Sequence, residues 1–132
     1  MLLIDHYVDR SDIDGLGVFS AQNVRSGDLV WDFNPIIDRE IPEENLIGLP
    51  AHVIASIYKH AWYFPEDSCF WLAADGDYFM NHSDAPTLNL CGRTFVASQD
   101  IVIGQELTCD YRIVKVLDFS PTLTNETEAV SA

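Results

Sequence analysis

The chain has 132 residues, 48% of them apolar, which is enough for one folded domain with one core and argues against a disordered protein. Its net charge of −14 argues against direct binding to nucleic acid, whose phosphates it would repel, and favours a basic partner such as a lysine-rich protein segment. The alternative is that the acidity only keeps the protein soluble.

Cysteine usage and hydropathy limit the cellular compartments in which the protein is expected. Cys69, Cys91 and Cys109 are odd in number and far apart, so neither a disulfide framework nor a cysteine zinc site is expected. The chain does not begin with a basic region and a long apolar run, and no apolar stretch has the length of a membrane span. We therefore expect a soluble, intracellular protein without a metal or a membrane partner, cytoplasmic or alternatively nuclear or host-directed.

The first third of the chain predicts short strands separated by turns. Residues 2–8 are apolar and β-prone, residues 9–14 are polar and turn-like, and Gly15 and Gly17 flank Leu16. Glycines at this spacing let the backbone adopt positive φ and let a ligand approach it closely, although a plain hairpin turn is the alternative. Residues 29–33 form a further predicted strand, which Pro35 ends.

A helical insert is predicted at about residues 42–64. Pro42 opens a short helix, and a second helix follows from about Ala51 to Trp62 with one apolar stripe. His52, Lys59 and His60 face away from that stripe, so we expect them to be exposed to solvent and assign them no chemistry.

The second half returns to strands. A loop is predicted at 63–67, followed by strands at 69–73, 88–96 and 106–110, and then by a segment at 112–119 that could fold back as a lid. Between these strands, Asn81, His82 and Ser83 stand side by side, which suits a buried, hydrogen-bonded turn; an ordinary loop is the alternative. Residues 120–132 have little to bury and are predicted to be a disordered tail.

Three segments, in order, resemble motifs of one family. Phe79-Met80-Asn81-His82-Ser83 with Pro86 resembles the Arg-Phe-Ile-Asn-His-Ser-Cys-x-Pro-Asn signature of SET-domain protein lysine methyltransferases. The segment from Gly15 to Phe19 resembles the family's early Gly-x-Gly segment, and Gly104-Gln105-Glu106-Leu107-Thr108-Cys109-Asp110-Tyr111 resembles its closing Gly-Glu-Glu-Leu-Thr-x-Asp-Tyr segment. Together they span most of the chain.

The resemblance implies a mostly β fold, the β-clip-like SET arrangement of several small sheets. A single domain would cover residues 1–119, with the short helical insert and a C-terminal segment threaded under a preceding loop. That threading would bring the 81–83 segment next to Asp110 and Tyr111, and Ser83 and Asp110 would tie the threaded loop together.

The resemblance also implies a ligand and site residues. The methyl donor would be S-adenosyl-L-methionine, held by Gly15, Leu16, Gly17, Asn81, His82 and Tyr111, without a metal. Tyr111 would be the catalytic residue, whose hydroxyl orients the amine and the donor rather than acting as a strong base. The channel for the target lysine would be lined by Phe33, Tyr78, Phe79 and Phe119.

Several positions depart from the family pattern. Tyr78 replaces the motif's Arg, Asp84 its Cys and Thr87 its final Asn; Phe33 replaces a channel Tyr and Cys109 an aromatic residue. No cysteine-rich tail follows Tyr111, so the zinc-bound element of many members is missing, and residues 112–119 or a second subunit must close the channel.

The expected activity is therefore methylation of a lysine in a basic protein, such as a histone, by a chain that could form a homodimer. An inactive SET-like module that binds basic segments is the alternative from another class. A third alternative is a donor-dependent enzyme whose substrate is not a protein.

Overall fold

The computed structural model describes residues 1–119, so the predicted tail at 120–132 lies outside the described residues. Within that range, ten short strands and two helices alternate with two 3₁₀ turns, at Glu43–Leu46 and Gly76–Phe79. The strands and helices are, in chain order, β1 His6–Arg10, β2 Leu16–Ser20, β3 Leu29–Trp31, β4 Arg39–Pro42, α1 Ala51–His60, β5 Trp62–Phe64, β6 Cys69–Leu72, β7 Asn81–His82, β8 Leu88–Cys91, β9 Thr94–Ala97, β10 Glu106–Cys109 and α2 Tyr111–Val114.

The strands form three small sheets, which confirms the predicted mostly β fold. One sheet has the strand order β1-β2-β10-β7, the second β3-β9-β8 and the third β4-β6-β5. In the first sheet, β10 is antiparallel to β2 and parallel to β7. The late strand β10 therefore lies between an early strand and the segment that contains Asn81 and His82.

The position of β10 between β2 and β7 brings together motifs that are far apart in the sequence. Asn81 pairs with Thr108 and His82 with Cys109, and the Ser83 N–H donates to the Cys109 carbonyl at 3.0 Å. The segment after Ser83 is tied to β10 as well, because the Thr87 N–H donates to the Thr108 hydroxyl oxygen at 3.0 Å. Asp110 and Tyr111, which follow β10 directly, are thereby placed beside the 81–83 segment.

Several local predictions are wrong. The strand predicted at 88–96 is a hairpin, β8 and β9, that turns at Gly92, whose φ is +64°. The loop predicted at 63–67 begins inside β5, and Asn81 and His82 form a two-residue strand rather than a turn. The first regular strand begins at His6 instead of Leu2, which makes only an isolated bridge to Trp31.

The helix in the insert ends two residues earlier than predicted. Ala61 is extended, with φ −87° and ψ 154°, and Trp62 begins β5. The apolar stripe of α1 packs into a small core of its own, in which the buried side chains are those of Leu46, Ile57, Ala61 and Phe70. The helical part of the insert thus packs in a cluster separate from the main core, whereas Trp62 and Phe64 at the end of the insert belong to the main core.

The main core joins the three sheets around aromatic side chains. Trp31 lies at its centre, 1% exposed, with its ring edge-on to Trp62 at 4.8 Å between centroids and to Phe95 at 6.1 Å. Val18 and Leu107 are fully buried beneath β2 and β10. The strands β2 and β10, which carry two of the motifs, therefore pack directly into the main core. In the part of the chain described, no helix has both the length and the apolar character needed to cross a membrane.

Candidate active site

A cleft of about 480 Å³ opens where the motif segments meet. Its walls come from the loop before β2, the last turn of α1, the segment that leads into β7, and the C-terminal segment after β10. The lining residues are Ile13, Asp14, Gly15, Leu16, Lys59, His60, Tyr78, Phe79, Met80, Asn81, His82, Tyr111 and Phe119.

Most residues predicted for the site line this cleft. Two of them do not: Gly17 and Phe33. Gly17 lies one residue inside β2, where it pairs with Asp9 of β1. Phe33 packs on Trp71, with ring centroids 4.4 Å apart, at the surface of the main core. The roles assigned to the individual residues remain predictions.

The side-chain amide of Asn81 holds in place the loop around Gly15 that precedes β2, which we call the glycine loop. Its nitrogen lies 3.1 Å from the carbonyl oxygens of Asp14 and Leu16, on either side of Gly15, and 2.9 Å from Oε2 of Glu106. The nitrogen is also 3.1 Å from the Ser11 hydroxyl. Its two hydrogens are therefore committed within the protein, which leaves the amide oxygen and the backbone to contact a ligand.

Glu106 and Ser11 complete this network, and neither was predicted as a site residue. The Ser11 hydroxyl lies 2.8 Å and 2.9 Å from the two carboxylate oxygens of Glu106. A Cβ added at Gly17 would approach the Glu106 carboxylate, 2.9 Å from its Cδ. Gly17 thus leaves the space in which Glu106 reaches Asn81. The closing motif did contain Glu106, but nothing in its spacing showed what it contacts.

The His82 ring is fixed on both of its nitrogens. Nδ1 accepts the backbone N–H of Tyr111 at 3.1 Å, so Nδ1 carries no hydrogen and Nε2 donates to Asp84, 2.8 Å away. The ring also packs against Phe119, with centroids 4.5 Å apart. His82 therefore holds both Tyr111 and the lid segment in place.

Asp110 and Arg112 secure the start of α2. The Arg112 guanidinium hydrogen-bonds both carboxylate oxygens of Asp110 at 2.9 Å and also contacts Asp84 at 3.1 Å. The hydrogen bond from Arg112 lowers the pKa of Asp110. Asp84, which replaces the Cys of the motif, thus joins a polar cluster that anchors the residues around Tyr111.

Tyr111 is half-buried, and its hydroxyl donates to the Met80 carbonyl oxygen at 2.5 Å. Burial raises the pKa of Tyr111, and the negative charge of nearby carboxylates, Asp14 and Glu106 among them, raises it further. The phenol therefore stays protonated at neutral pH. It can orient a ligand through hydrogen bonds but is not a base under these conditions.

The last turn of α1 also lines the cleft, through Lys59 and His60. His52 and Lys59 are exposed, as predicted, whereas His60 is half-buried. The His60 ring stacks on Tyr78, with centroids 4.1 Å apart and planes 21° from parallel. Burial lowers the pKa of His60, and the positive charge of Lys59 lowers it further. Among the described residues that line the cleft, Lys59 is the only lysine or arginine. The helix periodicity gave no sign of this contact, because it cannot show what packs against the polar face.

Asp77, in the 3₁₀ turn before β7, is a buried acid that the predictions did not include. Its side chain is 4% exposed, and within residues 1–119 neither carboxyl oxygen has a hydrogen-bond partner. Burial, followed by the negative charge of Asp75, raises the pKa of Asp77 well above its usual range. The folded protein therefore holds this proton more tightly than the unfolded chain does, so the contribution of Asp77 to stability is present in acid and lost as the pH rises.

We expect Asp77→Asn to increase the free energy of unfolding at pH 8 by about 1–3 kcal/mol, because an amide at this position carries no charge to desolvate. The gain should be much smaller at pH 4, where the native side chain keeps its proton in the folded state. Urea unfolding of both proteins at the two pH values measures the difference. An equal gain at pH 4 and pH 8 would contradict the assignment of the effect to ionisation.

Within residues 1–119, no group of three or more histidine, cysteine or acidic side chains is arranged to hold an ion.

Solved structures share the fold. A candidate histone methyltransferase of Plasmodium falciparum matches with a TM-score of 0.55 and 17% identity over 83% of this chain and 95% of that one. The Chaetomium thermophilum Polycomb Repressive Complex 2 matches in an autoinhibited state without ligand, with a TM-score of 0.64 and 17% identity over 84% of this chain and 16% of that one. The same complex bound to S-adenosylmethionine matches with a TM-score of 0.61, 17% identity and coverage of 84% and 15%.

No curated protein matches the chain in sequence. The model of the SET domain family, however, matches residues 15–112, which include all three motif segments and the residues of the cleft from Gly15 to Tyr111. The chain therefore belongs to the SET domain family.

Proposed function

We propose that the protein is an S-adenosylmethionine-dependent methyltransferase that acts on a lysine side chain of a protein. The observation that carries the proposal is the meeting of Tyr111, His82 and the Asn81-held glycine loop in one cleft of a SET domain. A structural relative that binds S-adenosylmethionine supports the choice of donor.

The cleft suits a donor of this size and chemistry. Its volume of about 480 Å³ lies in the range of small-molecule sites, and it combines apolar walls with a few fixed polar groups. Exposed backbone at Gly15 and the backbone of His82 could bind the polar edges of the donor. The ring of Phe119, which the sequence assigned to the lysine channel, could instead stack on the adenine of the donor. Asp14 and Lys59 could pair with the ammonium and carboxylate of its amino-acid part.

Within this site, the residues of the chain have three tasks. When bound, S-adenosylmethionine supplies a methyl group on a positively charged sulfur. The target amine must lose its proton, which a dry aromatic channel favours because desolvation disfavours the ammonium form. Tyr111, held as a neutral phenol, orients the amine, and Tyr78 and Phe79 exclude water and tolerate the methylated cation by cation–π contact.

The substrate is proposed to be a basic protein because the chain carries a net charge of −14. A structural relative described as a candidate histone methyltransferase agrees with such a substrate.

A homodimer, and a location inside the cell, remain predictions. The runner-up function is a SET-like module that binds basic segments without catalysis; the change from Arg to Tyr at position 78 favours it.

Binding of S-adenosylmethionine to the native protein, measured by calorimetry, separates the two functions, since a pure peptide binder has no need of the donor. Binding should be followed by transfer of a labelled methyl group to basic proteins, with lysine methylation identified by mass spectrometry. Absence of donor binding, even with basic peptides present, would exclude the methyltransferase function and leave the SET-like binding module as the explanation. Transfer to a molecule that is not a protein would support a different substrate class.

We expect Lys59→Met to weaken S-adenosylmethionine binding about 10-fold, because a charge-assisted contact to the donor carboxylate is lost. 5′-Methylthioadenosine, which lacks the amino-acid part, should bind the native and variant proteins with affinities within about twofold. Calorimetry with both ligands gives the comparison. Equal weakening of the two ligands would mean that Lys59 shapes the cleft rather than binding the carboxylate.

A further inference from the structure

A second cavity, which we call the insert groove, lies on the other side of α1 from the cleft. Its volume is about 710 Å³, larger than that of the cleft. Its walls come from β4 and the 3₁₀ turn that follows, from α1, and from the turn between β5 and β6. The lining residues are Pro42, Glu43, Glu44, Leu46, Ile47, Ile54, Tyr58, Asp67 and Ser68.

Apolar side chains form part of the walls of the insert groove. Leu46 is 5% exposed and belongs to the core of the insert, and Ile54 packs against the same core. Tyr58 stacks on Phe70, with ring centroids 5.8 Å apart. Ile47, by contrast, is 85% exposed at the edge of the groove. The groove thus offers a firm apolar floor and one loosely held apolar side chain at its rim.

The charge of the insert groove is negative. Of the residues in the described part of the chain that line it, three are acidic and none is basic. Asp67 is already paired with Arg93, and one oxygen of Glu43 accepts the Tyr63 hydroxyl at 2.6 Å. Within residues 1–119, the carboxylate of Glu44 has no hydrogen bond or ion pair. Glu43 and Glu44 therefore present negative charge that an occupant could neutralise.

An apolar floor beside open carboxylates matches one kind of side chain. Lysine and arginine carry an apolar stem that packs on Ile, Leu and Tyr surfaces and a cationic end that pairs with carboxylates. The chain's own residues 120–132 contain Glu126 and Glu128 but no lysine or arginine, so their charge does not complement the groove. A basic segment of another protein does.

We propose that the insert groove binds a lysine or arginine side chain of the same basic protein segment that presents its target lysine to the cleft. This inference rests on the proposed function for the identity of the segment, but the groove's preference for a cation stands on its own residues.

The geometry of α1 sets the spacing between the two sites. Ile54 and Tyr58 are four residues apart and share the face toward the groove, whereas His60 lies about 200° around the helix from Tyr58, toward the cleft. A helix with its side chains is about 10 Å across, and an extended chain advances about 3.3 Å per residue. The groove residue should therefore lie roughly three to five positions from the target lysine.

The lid segment is attached to the same helix. The Asp118 N–H donates to the Tyr58 carbonyl oxygen at 3.1 Å, and the next residue, Phe119, lines the cleft. One helix thus contacts the insert groove, the cleft and the segment that borders the cleft. A basic segment that occupies the groove would lie against the same structural unit that holds the active-site wall.

Hexa-arginine is the probe for this groove, because it offers cations but no lysine acceptor. Calorimetry should show about 10-fold weaker binding to the double variant Glu43→Gln/Glu44→Gln than to the native protein. The matched control, Asp5→Asn/Asp32→Asn, removes the same charge at two exposed positions outside the groove and should change binding by less than about twofold. The glutamine at position 43 can still accept the Tyr63 hydroxyl, so folding should be retained. Ile47→Ser tests the apolar rim and should weaken binding about threefold.

Equal weakening in the two double variants would overturn the proposal, because it would mean that hexa-arginine responds to net charge alone. Failure of the proposed function is distinguishable, since hexa-arginine binding is measured without donor. With a lysine substrate and donor, the groove variant should raise KM about 10-fold and leave S-adenosylmethionine affinity unchanged. An unchanged KM despite weaker hexa-arginine binding would show that the groove takes no part in substrate recognition and would overturn that part of the proposal.

Discussion

Replacing Gly17 with alanine is expected to weaken S-adenosylmethionine binding at least about 100-fold, although Gly17 does not line the cleft. A Cβ at this position would lie 2.9 Å from Cδ of Glu106 and 3.1 Å from Cβ of Ser11. A Cβ atom closer than 3.0 Å to another heavy atom is essentially never observed, so the Glu106 carboxylate must move, and the 3.1 Å contact with Ser11 is tight as well. The backbone of β2 cannot yield instead, because it is paired on one side with β1 and on the other with β10.

The displaced carboxylate would disrupt the hydrogen-bond network that holds the glycine loop. Glu106 lies 2.9 Å from the Asn81 amide and within 2.9 Å of the Ser11 hydroxyl, and the same amide bonds the carbonyl oxygens of Asp14 and Leu16. Loss of the carboxylate releases the amide from its fixed orientation and leaves buried polar groups without partners. The glycine loop would then have to be ordered at the moment of binding, at the expense of affinity.

Calorimetric titration with S-adenosylmethionine, together with thermal unfolding, tests this expectation. Gly27→Ala is the matched control, because its φ is +89° and an added Cβ meets nothing within 4 Å. That control should lose about 1–2 kcal/mol of stability through backbone strain and keep its donor affinity within about twofold. Donor affinity of Gly17→Ala close to that of the native protein would contradict the role assigned to the network.

The site residues predicted from the sequence lie in short motifs, whereas those that were missed line the cleft only because of a tertiary contact. Asn81, His82 and Tyr111 stand in short motifs that resemble those of one family, and that resemblance, rather than any local pattern, implied that they lie close together. Lys59 and His60 were missed, because a helical pattern distinguishes an apolar face from a polar one but does not reveal that Tyr78 packs on the polar face. That contact depends on tertiary structure alone.

The strand errors have similar causes. Leu88, Leu90, Gly92, Thr94 and Val96 alternate without interruption, so the period-two pattern extended through a hairpin turn. Gly92 was the available signal, since its φ of +64° suits a tight turn and glycine is the residue that adopts it most readily. Asn81 and His82 form a strand only because β10, which lies about 25 residues later in the chain, provides the partner. No local propensity encodes such a pairing.

The second large effect is expected at Tyr111. Tyr111→Phe should lower kcat for methyl transfer about 10²–10³-fold while S-adenosylmethionine affinity changes by less than about threefold. The ring of phenylalanine preserves the packing against Phe119 and His82, whose centroids lie 5.4 Å and 5.5 Å from that of Tyr111. Only the hydroxyl, fixed by its 2.5 Å bond to the Met80 carbonyl oxygen, is lost. An orienting group that acts at the reacting atoms contributes to the barrier more than to ground-state binding.

The pH dependence of the remaining activity identifies how Tyr111 acts. Burial, with nearby negative charge, raises the pKa of Tyr111, so the phenol stays protonated across the range from pH 7 to pH 10. We then expect a rise in rate over that range to come from deprotonation of the target amine, and Tyr111→Phe should lower the whole profile without moving its midpoint. Tyr7→Phe, on an exposed tyrosine stacked on Phe19 outside the cleft, is the control and should leave both rate and profile unchanged. A midpoint that shifts only in Tyr111→Phe would mean that the phenol itself titrates during turnover, and Tyr111 would then be the base that accepts the proton of the lysine rather than the group that orients its amine.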